Sequence, residues 1–369
     1  MSPRKLIIAL AVTMSCAAVG PAVGAASTSA AQPVLAYYYI WFDHSSWRRA
    51  KTDYPQLGRY SSDNVAVLRQ HVRWAKQAGI DGFIVSWKST PTLNRRLAKL
   101  VRVARQERFK LAIIYQGLDF EREPLPAARV AHDLQFFARR FATNRVFRIF
   151  ERPLVVWSGT WRFSGTDIER VTAPLRRELL ILASERSKQG YERVAKSVDG
   201  DAYYWSSVDP STYPGYAEKL EQMGDAVHSN DGLWIAPAAP GFDARLIGGK
   251  TVVPRLGGDT LQQEFNVALQ SSPDAVGVIS WNEFSENSHI EPSIRYGREY
   301  LGVLSDVGPV RYSDRSDFDS SSSRGGIGYG LPVLSGLFGL IFSALLVSFM
   351  RRHITHVHAT PTKEGEAKQ

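Results

Sequence analysis

Two carboxylates three residues apart, Glu283 and Glu286, follow a short apolar run, Ala275-Val276-Gly277-Val278-Ile279. The run reads as a buried β-strand. The acids then sit just past a C-terminal strand end, where parallel α/β barrels place their chemistry. One acid can protonate a departing oxygen while the other serves as base or nucleophile, and cleavage of a glycosidic bond needs both. Trp281 stands beside them, and an indole face suits the apolar face of a sugar. The competing reading makes the acids ion-pair partners of Arg295 or Arg298.

The same stretch carries three further candidates for substrate contact, Asn282, His289 and Glu291. Glu291 precedes Pro292 and is placed to orient a partner or to cap the next helix. Asp43, His44, Glu185 and Asp209 also fall at predicted strand ends and can hold sugar hydroxyls. Tyr37, Tyr38 and Tyr39 cannot all face inward, because strand residues alternate. Tyr39 shares a face with Trp41 and is the one favoured for the site. Trp41, Trp87, Trp157, Trp205 and Trp281 all stand at predicted C-terminal strand ends. Five on one rim suggest an aromatic cleft for carbohydrate; the alternative is that some only plug the barrel mouth. There is no HExxH, no EF-hand loop and no GxSxG elbow, so no metal, no cofactor and no serine-hydrolase chemistry is expected.

The elements that must position these residues alternate regularly. Strands are predicted at 34–41, 80–87, 109–116, 154–157, 179–184, 202–205, 233–237 and 275–280. Helices are predicted at 65–78, 93–105, 127–141, 167–176, 216–227, 262–269 and 296–304. Eight repeats in about 270 residues are the signature of a (β/α)8 TIM barrel, an α/β fold of about this size. A doubly wound sheet would need a Gly-rich turn after an early strand, and none is present. The 369-residue chain, 44% hydrophobic, can fill such a core and leave appendages.

Those appendages lie at the ends. Arg4 and Lys5, an apolar segment and an Ala-rich stretch read as a signal peptide over residues 1–26. The only cysteine, Cys16, falls inside it, so disulfides and thiolate chemistry are not expected in the mature body. The barrel is expected over 32–305, with a flexible Ser/Gly-rich linker over 306–329. Residues 331–350 hold no charge, enough to cross about 30 Å of hydrocarbon as a helix. Arg351 and Arg352 follow and mark a cytoplasmic tail, 351–369. The expectation is a single-pass transmembrane helix over 330–350, with a monomeric body outside the cell membrane. The formal charge is +9, of which the body carries about +5. That is mild and offers no Lys/Arg block for nucleic acid.

The segments YYYIWFD, AKQAGIDGFIVSW, RPLVVW and SWNEFSENSHIEP resemble glycoside hydrolase family 99, across roughly residues 34–304. That family contains endo-α-mannosidases and endo-α-mannanases. The resemblance implies that Glu283 is the base acting on a sugar 2-hydroxyl and Glu286 the general acid. It also implies a retaining route through a 1,2-anhydro sugar. The family carries Glu-Pro-Tyr at the end of its third strand, where its Glu residues touch the sugar. This chain has Tyr115-Gln116-Gly117-Leu118 there, which makes Gln116 a candidate contact. It also keeps the related α-1,3-glucanase barrels as an alternative. The preferred expectation is an endo-glycosidase acting on an α-linked polysaccharide, α-mannan-like, with a catalytically silent carbohydrate-binding barrel as the rival.

Overall fold

In the computed structural model, which describes residues 32–307, eight parallel strands close into a barrel. They are β1 (Val34–Tyr39), β2 (Gly82–Trp87), β3 (Lys110–Gln116), β4 (Leu154–Ser158), β5 (Leu180–Leu182), β6 (Gly200–Ala202), β7 (Leu233–Ala238) and β8 (Ala275–Val278). Each pairs with its sequence neighbour, and β8 pairs back with β1 through Val34↔Val276 and Leu35↔Gly277. The β5–β6 seam is the thinnest. A single bridge, Ala183↔Asp201, joins them. Ala183 N–H donates to Gly200 C=O and Ala202 N–H to Ala183 C=O, both at 2.9 Å.

The helices are α1 (Val65–Gln77), α2 (Pro91–Glu107), α3 (Ala127–Phe137), α4 (Gly165–Thr172), α5 (Lys188–Val194), α6 (Tyr216–His228), α7 (Asp259–Gln270) and α8 (Glu299–Val307). Their starts follow local chemistry. Asn64, Thr90, Ser164 and Ser187 accept bonds from first-turn N–H groups of α1, α2, α4 and α5, which satisfies donors that a helix cannot pair internally. Pro91 occupies the first turn of α2, where its missing N–H costs nothing.

Alternation along the strands divides the core. Leu35, Tyr37, Ile84, Ala112, Ile114, Val156, Leu182, Ala202 and Ile235 fill the barrel. Tyr38, Phe83, Val85, Trp87, Ile113, Tyr115, Val155 and Trp157 face the helices. A third cluster, Tyr39, Phe42, Trp47, Tyr60, Val67 and Phe284, covers the mouth at the C-terminal strand ends. It forms because the β1–α1 loop folds over the β8–α8 loop. Trp47 Nε1 donates to Tyr60 C=O at 2.6 Å. Gln56 N–H donates to Pro292 C=O and Ile294 N–H to Tyr54 C=O, at 2.9 and 2.8 Å.

The predicted strands and helices recur with shifts of a few residues. Three differences matter. β6 ends at Ala202, which leaves Tyr203, Tyr204 and Trp205 in the loop beyond it. Helix α5, seven residues capped by Ser187, was not anticipated. A small hairpin, Phe242–Asp243 with Val252–Val253, rises from the β7–α7 connection toward the mouth. The expected signal peptide, most of the linker, the transmembrane helix and the tail lie outside the described residues. Among the described residues no helix is long and apolar enough to cross a membrane.

Candidate active site

The chain leaves β8 at Val278 and turns back on itself. Ser280 Oγ accepts Glu283 N–H at 2.8 Å. Ser280 N–H donates to Ser288 C=O at 2.7 Å, and Ile290 N–H to Ser280 C=O at 2.9 Å. Every residue from Ile279 to Ser293 is buried. This loop carries Glu283 and Glu286, 5% and 2% exposed. Such burial removes the reading in which they are surface ion-pair partners. The Glu286 carbonyl also accepts Asp243 N–H at 2.7 Å, so the hairpin holds the loop from outside.

Burial pushes both acids above the usual carboxylate range, but their surroundings part them. Burial raises Glu286, the charge of Glu283 raises it further, and Arg122 only partly opposes. Its Oε2 is enclosed with no hydrogen-bond partner. Burial also raises Glu283, but the Ser285 N–H and the charge of Lys51 pull it back. Ser285 N–H lies 3.0 Å from Glu283 Oε1. Two like charges in one dry site cannot both ionise readily. Both surroundings and charge thus disfavour ionisation of Glu286 more than that of Glu283. Two carboxyls with separated proton affinities have the chemistry that a general acid and a base require.

Aromatic rings complete the wall. Tyr39 points inward, and its hydroxyl shares a 2.7 Å hydrogen bond with the hydroxyl of Tyr204. Trp41, half-buried, packs on Tyr39 with ring centres 4.3 Å apart. Burial and then the fields of both acids hold the Tyr39 hydroxyl well above the ordinary tyrosine range. It stays a neutral hydrogen-bonding group beside them.

The sequence profile of glycosyl hydrolase family 71 matches residues 57–318. The chain belongs to glycosyl hydrolase family 71. Its fold is shared with the endo-α-mannosidase of family GH99 from Bacteroides thetaiotaomicron, at a TM-score of 0.67 and 18% identity, over 74% of this chain and 95% of that one. The expected likeness to family 99 thus holds in the fold. Rat glycoprotein endo-α-1,2-mannosidase is 19% identical over 264 residues, 65% of this chain and 56% of that protein. A mouse glycoprotein endo-α-1,2-mannosidase-like protein is 22% identical over 278 residues, 68% and 61%. The chain thus matches under two thirds of the length of these curated relatives.

The family 71 barrel brings together only part of the predicted set. Glu283, Glu286, Tyr39 and Trp41 meet at the mouth. Gln116 ends β3 next to the lumen, its Nε2 donating to Ser86 Oγ at 3.2 Å. The aromatic rim does not form. Trp87 is buried on the helix side, with Nε1 bound to Asn94 Oδ1 of α2 at 2.9 Å. Trp157 packs on Phe163. Trp281 packs between His71 and Phe83. Trp205 stacks on Tyr216 of α6, ring centres 4.6 Å apart, under Lys219 Nζ. These four hold helices to the sheet.

Several polar candidates are committed elsewhere. Asn282 spends its amide on the backbone of Tyr39. His289 stacks on Phe284, with Nε2 3.3 Å from Asp53 Oδ2. Burial holds it down to about 4 despite Asp53, so it is neutral and structural. Glu291 accepts from Tyr60 at 2.8 Å and lies 3.0 Å from His71 Nε2, which reaches Tyr38 through Nδ1. This chain of buried polar groups ties α1 to β1 and leaves Glu291 no face for substrate. Glu185 points toward α5 and pairs with Arg193 at 3.1 Å. Asp209 closes a turn on Ser211. Asp43 Oδ1 gathers Ser45 and Ser46 in the β1–α1 loop, where His44 is exposed.

Four residues of the mouth were not singled out from sequence: Tyr204, Lys51, Arg122 and Arg186. Tyr204 was legible, since it shares the inward parity of Ala202. The three cations sit in loops, where no periodicity marks a direction.

Proposed function

We propose that this family 71 chain is an endo-acting hydrolase of an α-linked glycan, with mannan-like polymers favoured. The observation that carries the reading is the buried Glu283–Glu286 pair, in which one carboxyl is backed by a cation and an N–H and the other is left unpartnered. In this scheme ionised Glu283 takes the proton of a sugar 2-hydroxyl, and that oxygen attacks the anomeric carbon. Glu286 gives its proton to the departing oxygen. Water then attacks the anomeric carbon of the 1,2-anhydro sugar, Glu286 taking the water's proton as the bond to the 2-oxygen breaks and Glu283 returning its proton to that oxygen, and configuration is retained. An axial 2-hydroxyl, as in mannose, makes the attack geometrically available. The similarity to rat glycoprotein endo-α-1,2-mannosidase supports an α-mannoside substrate.

A second reading rests on Gln116. No carboxylate ends β3, so a glucan of the α-1,3-linked class, cleaved by attack of water, is the alternative substrate. The two separate in one experiment. The full chain is incubated with α-mannan and with α-1,3-glucan oligosaccharides, and the first-formed anomer is read by NMR. Retained products from mannan support the preferred scheme; inverted products from glucan support the second. Absence of hydrolysis of either counts against both and favours a silent carbohydrate-binding barrel. The chain is further proposed to sit outside the membrane on the helix of residues 330–350. Deletion of residues 330–369 is then expected to release the body, and persistent membrane association after a high-salt wash would contradict the anchor.

A further inference from the structure

The acids stand on one wall of the barrel, and the opposite wall has a chemistry of its own. In the closed ring of eight, β4 lies four strands from β8 by way of β3, β2 and β1. The two strand ends therefore face each other across the lumen. β4 ends at Ser158, a residue that no motif marks. Val156 fills the barrel and Trp157 faces the helices, so alternation turns Ser158 inward. Its partner in register on β3 is Gln116, which the same rule turns inward with Ile114. Both are half-buried at the mouth.

Gln116 Nε2 donates to Ser86 Oγ at 3.2 Å, which leaves the amide carbonyl oxygen as an acceptor. The Ser158 carbonyl accepts Gly117 N–H at 3.1 Å; among the described residues the Ser158 hydroxyl has no partner. The backbone around the pair has no slack. Gly159 follows Ser158 at φ +93°, a left-handed conformation that glycine holds without a Cβ penalty. A Cβ there would strike the Leu118 side chain, and one on Gly117 would strike Trp157 Nε1 and the Ser158 carbonyl. The ends of β3 and β4 are thus locked together, and groups fixed in advance lose little freedom on binding. Neighbouring strands stand about 4.8 Å apart, so the two groups can take two hydroxyls of one sugar ring. Neither carries a charge, and a hydroxyl beside an amide carbonyl matches sugar hydroxyls, which both donate and accept.

We infer that Ser158 and Gln116 form a fixed seat for two hydroxyls of the sugar lying between the acids and β4, and that Ser158 is a specificity-determining residue. This rests on the hydrolase reading and adds to it the wall that selects the sugar.

The test uses the full chain with α-mannan and α-1,3-glucan oligosaccharides and analogues of each that lack one hydroxyl other than the 2-hydroxyl. Binding is measured by calorimetry and cleavage by product formation. In the parent at least one analogue is expected to lose about 3–10-fold in affinity and kcat/KM, the worth of one neutral hydrogen bond. Ser158→Ala should lose a similar factor on the intact oligosaccharide and nothing further on that analogue. Ser158→Thr, which keeps the hydroxyl, should restore the discrimination. A loss of equal size on every probe would place the effect of Ser158 in the fold, and analogue penalties unchanged in Ser158→Ala would place the contact elsewhere. Either result would overturn the inference and leave the hydrolase reading intact. Ser158-dependent discrimination in binding, without cleavage of any probe, would sustain the inference and sink the hydrolase. Absence of binding of every oligosaccharide would overturn both.

Discussion

Asn282 grips Tyr39 by its backbone from the neighbouring strand end. Its Oδ1 accepts Tyr39 N–H at 2.9 Å and its Nδ2 donates to Tyr39 C=O at 3.0 Å. Just before it, Trp281 N–H donates to Tyr37 C=O at 2.8 Å. The side chain of Asn282 continues the β1–β8 ladder past the end of β8, and so fixes Tyr39 relative to the acids one and four residues on. Asn282→Leu would leave two buried backbone groups unpaired, each worth about 1–3 kcal/mol. A fall of about 2–5 kcal/mol in unfolding free energy is expected by urea titration. A variant as stable as the parent, with only substrate affinity reduced, would return Asn282 to the set of sugar contacts.

The two kinds of tryptophan separate in the same way. Trp281 is enclosed among His71 and Phe83, and its truncation to Ala should cost about 3–5 kcal/mol, the usual range for a buried aromatic. Trp41 is half-buried on Tyr39 at the mouth. Trp41→Ala should weaken oligosaccharide binding by about 1–2 kcal/mol, the scale of one aromatic stack, while changing the melting temperature little. Calorimetric affinity and thermal melts on both variants check this, and a reversed pattern would restore the aromatic rim.

His289 gives the fold a sensitivity to acid. Burial holds its pKa down to about 4 in the folded chain, Asp53 opposes, and Arg255 adds to the depression. In the unfolded chain a histidine titrates near 6.5. Between those values the unfolded state binds the extra proton, so stability rises with pH. Its contribution is whole above about pH 6.5 and is lost as pH falls toward 4, at up to about 1.4 kcal/mol per unit. Burial pushes Asp53 up, but hydrogen bonds led by His289 hold it at about 2, so its own contribution fades only below about pH 4. His289→Gln should flatten the fall in unfolding free energy between pH 6.5 and 4.5, measured by urea titration. An unchanged slope would assign the acid sensitivity to other groups.

The barrel was legible because its two periods are strong: apolar runs for the strands, and 3.6-residue spacing for the helices. The acid pair was legible because it follows the last strand by position. Residue type alone suggests an aromatic rim, and strand parity contradicts it. In β2, Phe83, Val85 and Trp87 share one face, while Ile84 and Ser86 share the other. That places Trp87 outside without a structure, and the same rule places Trp157 and Trp205 outside and Tyr204 inside. It does not reach Trp281, since β8 stops at Val278. Nor could spacing show that Glu291 would meet His71 across 220 residues, or that Arg122 from the β3–α3 loop would come within reach of the charge of Glu286. Those contacts are set by tertiary packing.

The central claim is the division of roles between Glu283 and Glu286, and leaving-group chemistry tests it most directly. A general acid matters most when the departing oxygen is basic and little when the leaving group is already good. Initial rates are measured for Glu283→Gln and Glu286→Gln on a natural glycan and on a nitrophenyl or fluoride derivative of the same sugar. Glu286→Gln should lose about 10²–10⁴-fold on the glycan and far less on the activated substrate. Glu283→Gln should be inactive on both while still binding them, since the amide keeps the shape and lacks the basicity. Rescue of Glu283→Gln but not Glu286→Gln by the activated leaving group would swap the roles, and full activity of both variants on every substrate would contradict the assignment of this pair as the catalytic centre.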